Sequence, residues 1–117
     1  MFFPFTYNKN LGWKHTFVIP EEILKRTKHF SVPVVFVTLT KNPYSWLLSL
    51  YRHPYHNSWK NKPTFREFIK EPWKSNWIEI ANQDFETPID LWNCKNTAYK
   101  NMRDYLPVLN LKYEDLV

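Results

Sequence analysis

A chain of 117 residues has room for one hydrophobic core and not for two. With 44% hydrophobic and 19% aromatic residues it has ample material to bury, which excludes disorder as a global description. Its one cysteine, Cys94, excludes an internal disulfide and a cysteine-based metal cluster and favours a reducing compartment. The sole glycine, Gly12, excludes a Walker-type phosphate loop, while a net charge of +5 suits an anionic partner such as a nucleotide, a sulfated product or nucleic acid without choosing among them.

Residues 1–12 mix Pro4, Asn8, Asn10 and Gly12 with aromatics and read as irregular structure with a short extended piece. No apolar run reaches the length of a membrane span, and the opening MFFPFTYNKN is too short and polar for a signal peptide, so the expectation is a soluble, cytoplasmic chain. Trp13, His15 and Phe17 alternate with Lys14 and Thr16, a pattern that permits a short strand. Pro20 opens a helix with Glu21 and Glu22 in its first turn and Lys25, Arg26 and Lys28 at its end, the order that complements the helix dipole.

The stretch 32–56 is the most informative. Val34 to Leu39 is an almost unbroken β-branched and aromatic run, the signature of a strand buried on both faces. Asn42 then caps a helix and Pro43 fits its first position, so the strand turns directly into a helix whose N-terminus offers N–H groups to an anion. At about 100° per residue, Ser45, Ser49, Arg52 and His56 share a narrow sector, with Lys41 near the same line. Tyr44, Trp46, Leu47, Leu50 and Tyr51 take the opposite side and face a core. An ordinary amphipathic helix has the same division, but here the strand, the Asn-Pro turn and the cation-hydroxyl stripe coincide.

After His53-Pro54 the chain interleaves Tyr55, His56 and Trp59 with Lys60 and Lys62, a composition that can also stack on and neutralise single-stranded nucleic acid, although no RNA-binding signature accompanies it. Thr64-Phe65-Arg66-Glu67 reads as a capping box opening a helix of about two turns. Residues 72–87 read as a long surface segment in which most aromatics cover the core and some shape an acceptor site. Thr87-Pro88 starts the longest helix, from Ile89 to about Tyr105, with a stripe of Leu91, Lys95, Ala98, Met102 and Tyr105 beside Trp92, and with Cys94 as a small packing residue. Pro107 ends it, and Val108 to Tyr113 reads as a second strand. Glu114 and Asp115 fit an orienting or capping role better than a catalytic one. The order of elements predicts α/β architecture, with parallel strands joined by helical crossovers in a single unit over 1–117.

Lys41-Asn42-Pro43 with Ser49 eight residues after the lysine resembles the 3'-phosphate motif of sulfotransferases that use 3'-phosphoadenosine 5'-phosphosulfate (PAPS). Phe65, Phe68, Pro72 and Trp73, then Leu91-Trp92-Asn93, and finally Leu111 to Leu116 stand where that family has similar elements. The resemblance implies a parallel sheet flanked by helices, a P-loop NTPase-like sulfotransferase core. It further implies Lys41 and Ser49 on the 3'-phosphate, with the cap Asn42 and the stripe residues Ser45 and Arg52 as further nucleotide-binding candidates, PAPS as co-substrate, no metal, and a small-molecule or carbohydrate acceptor with a hydroxyl or amine.

Lys14-His15 is similar to the family's Lys-x-His element without the intervening residue. By that likeness His15 would be the base that deprotonates the acceptor, and Lys14 would neutralise charge on the transferring group. A half-buried histidine fixed by a backbone contact is the other reading of His15. Lysine in place of the family's arginine keeps the charge and gives up the bidentate fork. The family's 5'-phosphosulfate loop has no counterpart around Gly12, so the chain looks like a sulfotransferase core, incomplete at its first β-loop-α unit. The alternative function is a non-enzymatic nucleic-acid-binding module built on Trp59, Lys60 and Lys62.

Overall fold

The computed structural model of the chain describes residues 7–8, 12–13, 15–28, 31–75 and 83–117. The short strands β1 (Tyr7–Asn8) and β2 (Gly12–Trp13) pair antiparallel, so the extended piece expected near the start is half of a small hairpin. The strand permitted over Trp13 to Phe17 is confined to β2, because the chain turns at His15 and Thr16. Helix α1 (Pro20–Thr27) begins at the proline, where no N–H is needed, and Glu22 pairs with Lys25 one turn on at 3.6 Å.

Strand β3 (Phe36–Thr40) leads into α2 (Pro43–Arg52), then the single-turn α3 (Phe65–Phe68), the long α4 (Pro88–Asn101) and β4 (Val108–Lys112). β3 and β4 pair in parallel from Phe36↔Val108 to Thr40↔Lys112, so residues 41–107 form the crossover between them. The chain is a small α/β fold with a two-stranded parallel sheet and helices.

Three helix boundaries follow from named residues. Thr64 and Glu67 close a full capping box: the Glu67 carboxylate accepts from the Thr64 N–H at 2.7 Å, and the Thr64 hydroxyl accepts from the Glu67 N–H at 3.3 Å. The helix it opens is one turn long, half the expected length. At α4 the Thr87 hydroxyl donates to the Asp90 carboxylate at 2.7 Å, and Pro88 takes the first position. The last turn expected of α4 tightens into a 3₁₀ turn over Met102–Asp104, which buries Met102 and leaves Tyr105 exposed.

The core gathers Leu50 of α2, Phe68 of α3, Leu91 of α4, and Trp73 with Phe85, against which Trp46, Tyr51, Tyr55, Trp59, Ile69 and Phe17 pack. Trp73 and Phe85 exchange two backbone hydrogen bonds of 2.9 Å in an isolated antiparallel bridge. The segment read as surface therefore contributes two buried side chains, because pairing across it turns both rings inward.

Three burial expectations are corrected. β3 is not buried on both faces: Thr38, 6% exposed, lies on the covered side with Asn110, while Val37 at 58%, Leu39 at 52% and Leu109 at 50% line an open side. A parallel pair alternates faces residue by residue, and among the described elements only one face of this pair is covered. Tyr44 is exposed, because it belongs to the first turn of α2, ahead of the packed part of the helix. Cys94 is exposed, one residue before buried Lys95 and turned about 100° from it.

Candidate functional site

The carboxyl end of β3 and the start of α2 form a junction rich in polar contacts. Asn42 caps α2, its side-chain oxygen accepting from the Tyr44 N–H at 2.9 Å, and its carbonyl accepts from the Trp46 N–H at 2.9 Å. Lys41 turns back along the helix and donates from Nζ to Ser49 Oγ at 3.1 Å. About one and two-thirds helical turns separate Pro43 from Ser49, so only a long side chain starting just before the cap reaches that hydroxyl.

Two further elements fix Lys41 in place. The Trp92 indole N–H of α4 donates to the Lys41 carbonyl at 3.1 Å, which ties α4 to the turn. The Lys41 ammonium lies 5.1 Å from the centroid of the Tyr113 ring, in the 3₁₀ turn Tyr113–Asp115 that follows β4. That turn also sends Glu114 across: its carboxylate oxygen accepts from the Asn42 N–H at 2.6 Å.

The bond from the Asn42 N–H holds the Glu114 carboxyl below the ordinary carboxylate range. Glu114's own N–H adds to this, and the nearby positive charges of Lys41 and Lys112 contribute after it. Glu114 is therefore ionised at neutral pH. The residue that follows Lys41 is thus bound to an internal anion.

This geometry changes the picture of a helix end open to an anion. Pro43 has no N–H, the Tyr44 N–H belongs to the Asn42 side chain, and the Asn42 N–H belongs to Glu114. Besides the Ser45 N–H of the first turn, the junction offers an incoming oxyanion the Lys41 ammonium, half-buried and already oriented, and the Ser49 hydroxyl beside it.

Of the residues expected on or near one helix stripe, Lys41 and Ser49 meet at this junction, beside the expected cap Asn42. Ser45 and Arg52 are exposed on α2, Ser45 in its first turn and Arg52 in its last. His56 leaves the stripe, because α2 ends at Arg52. Beyond it Tyr55 adopts φ 56°, and the His56 ring nitrogen Nε2 pairs with the Lys74 carbonyl at 2.9 Å.

His15 belongs to a second cluster. Its ring stacks on Tyr55 with centroids 4.6 Å apart, and its carbonyl accepts from the buried ammonium of Lys95 at 2.6 Å. Lys95 sits among the rings of Tyr55, 5.1 Å away, and Phe17, 5.5 Å away, so it binds the segment after β2 to the face of α4. The backbone at His15 is thereby anchored to α4. Lys14, its expected companion, lies outside the described residues.

The basic aromatic loop is also engaged internally. Lys62 lies 4.2 Å from the Tyr51 ring centroid and 5.9 Å from that of Trp59, and Trp59 meets Phe68 edge-on at 5.7 Å. Beneath it an open cleft of about 320 Å³ runs between Asn57, Trp59, Glu71 and Lys74. Among the described residues no group of three or more His, Cys, Asp or Glu could hold a metal ion. Nor is any helix there long and apolar enough to cross a membrane.

Three participants were not legible as site residues. Trp92 and Tyr113 act through an indole N–H and a ring face, and Glu114 reaches back across 72 positions of sequence. The pairing of β4 beside β3 brings Tyr113 and Glu114 to the junction, and the packing of α4 brings Trp92. The α/β unit and its strand-helix junction define a class of architecture and a candidate oxyanion site. Comparisons of the chain with family models, with curated proteins and with solved structures find no match.

Proposed function

We propose that Lys41 and Ser49 hold the 3'-phosphate of a PAPS-type nucleotide, and that the chain is part of a PAPS-dependent sulfotransferase core of the P-loop-like kind. The observation that carries this reading is the 3.1 Å contact between Lys41 Nζ and Ser49 Oγ, two donors preset side by side just beyond the carboxyl end of a parallel strand. A phosphate oxygen bridging them gains a charge-assisted hydrogen bond and a neutral one without reorganising either side chain.

The transferred group would pass to a hydroxyl or amine acceptor, a small molecule or a carbohydrate, by in-line displacement. The acceptor oxygen or nitrogen forms the new bond to sulfur, the bond from sulfur to the 5'-phosphate oxygen breaks, and 3'-phosphoadenosine 5'-phosphate leaves. His15 is the residue proposed to take the acceptor proton, with Lys14 neutralising charge on the sulfuryl group. Positioning and charge neutralisation do the chemical work.

The competing reading as a nucleic-acid module needs free aromatic faces, and the engagement of Tyr51 and Trp59 with Lys62 and Phe68 favours the nucleotide reading over it. Calorimetry provides the test. 3'-phosphoadenosine 5'-phosphate is expected to bind at least about 10-fold more tightly than AMP, since the extra phosphate meets a charged donor, and Lys41→Ala is expected to erase the difference. Equal affinity of the unaltered chain for the two nucleotides would overturn the proposal.

A further inference from the structure

The chain carries its own anion at the mouth of this site. Glu114 reaches from the turn after β4 to the Asn42 N–H at 2.6 Å, and the ammonium that would meet a ligand phosphate contributes to keeping that carboxylate ionised. We propose that Glu114 is a selectivity gate. It occupies the backbone donor at the start of α2 and sets a negative charge on the residue that follows Lys41, so that weakly charged oxyanions are held off and only one that gains enough from Lys41 and Ser49 binds against it.

This inference rests on the reading of Lys41 and Ser49 as an anion site, and it adds a specificity-determining residue to it. Three observations support it. A carboxylate oxygen at hydrogen-bond distance from the Asn42 N–H demonstrates that an oxyanion fits there. Tyr113, the residue before Glu114, lies under the Lys41 ammonium, so the turn that carries the gate is anchored to the cation it opposes. Glu114 and Asn42 are both exposed, so an incoming anion can displace the carboxylate into water without unpacking the core.

Gating also differs from a purely structural clip in what its removal does. A clip, once broken, loosens the turn and weakens binding. Removing a gate strengthens the binding of small anions most, because they have the fewest other contacts with which to overcome a like charge.

Inorganic phosphate is the direct probe. In amide-resolved NMR titrations of the full chain, phosphate is expected to shift the Asn42 and Ser49 signals of Glu114→Gln at about 5-fold lower concentration than in the unaltered chain, the size of a like-charge contact near a protein surface. Glu114→Gln keeps an acceptor for the Asn42 N–H, and unchanged melting of that variant confirms that its turn is intact. Glu114→Ala, lacking both charge and acceptor, is expected to bind phosphate at least as well as the glutamine variant. Equal or weaker phosphate binding by both variants would overturn the gate.

The nucleotide reading is judged separately, by the preference of the unaltered chain for 3'-phosphoadenosine 5'-phosphate over AMP. Absence of that preference, together with enhanced phosphate binding in Glu114→Gln, would leave the gate standing and remove the nucleotide assignment.

Discussion

The two ends of α2 are built from different materials. From Trp46 onward the helix buries Leu50 and sets Trp46 and Tyr51 against the cluster of Phe68, Trp73, Phe85 and Leu91, whereas its start is held by polar contacts from Asn42, Lys41, Glu114 and Trp92. Burial is proportional to area and indifferent to direction, so the apolar end contributes stability. Hydrogen bonds and charges are directional and exchange with water at little net gain, so the polar end contributes geometry. A helix anchored at one end by packing can present preset donors at the other without depending on them to stay folded.

The largest expected effect tests the apolar end. Leu91 is completely buried on α4 against the cluster that includes Leu50. Leu91→Ala leaves a cavity that the aromatic rings around it fill poorly, and it is expected to lower unfolding stability by about 3 kcal/mol in urea titrations. Lys41→Ala, made at the other end, is expected to leave the urea midpoint nearly unchanged while removing selective nucleotide binding. A midpoint loss for Lys41→Ala as large as that for Leu91→Ala would break the comparison.

A smaller effect is expected where the apolar end borrows a polar device. Thr64→Ala removes the hydroxyl that caps α3 and carries Phe68 into the core, at a cost of about 1 kcal/mol. The partner carboxylate adds a pH dependence of known sign. The Thr64 backbone N–H, and then its hydroxyl, hold Glu67 below the ordinary carboxylate range in the folded chain. Its contribution is therefore complete above the unfolded value of about 4.3 and is lost as pH falls through the folded value. The difference in stability between the unaltered chain and Thr64→Ala should shrink over that acid window, as followed by urea midpoints from neutral pH downward.

Much of this layout was legible from residues. Asn42-Pro43, the Thr64 to Glu67 box, Pro88 and Pro107 are local signals whose chemistry acts within a few positions, and the elements they bound are present, with α3 shorter and α4 ending in a tighter turn than expected. Lys41 and Ser49 were legible as a pair because helix periodicity relates them. Burial was less legible. Tyr44 was assigned to packing from helix periodicity and Cys94 from residue type, and the two faces of β3 were treated alike, because an apolar run does not reveal how many neighbours a strand has. Glu114 was legible in an orienting or capping role, but its partner, the Asn42 N–H 72 positions away, depends on the β3–β4 register.

That register poses the finest contrast, between neighbours on one strand. Thr38 is buried, and its hydroxyl donates to the Asn110 side-chain oxygen at 2.6 Å across the parallel pair. Val37 and its register partner Leu109 lie on the open face. Polarity thus runs against burial: the covered side holds a hydrogen-bonded threonine and asparagine, and the open side holds valine and leucines. For Thr38→Val the expected cost is about 1 kcal/mol, because a half-buried amide oxygen loses its donor and the added methyl repays little of that. For Val37→Thr the expected change is under about 0.5 kcal/mol, since a β-branched residue replaces another in a strand and no packed contact is lost. Urea midpoints of the two variants decide the matter. The opposite ranking would mean that the open face of β3 is the one that holds the sheet, and that its apolar side chains are covered in solution.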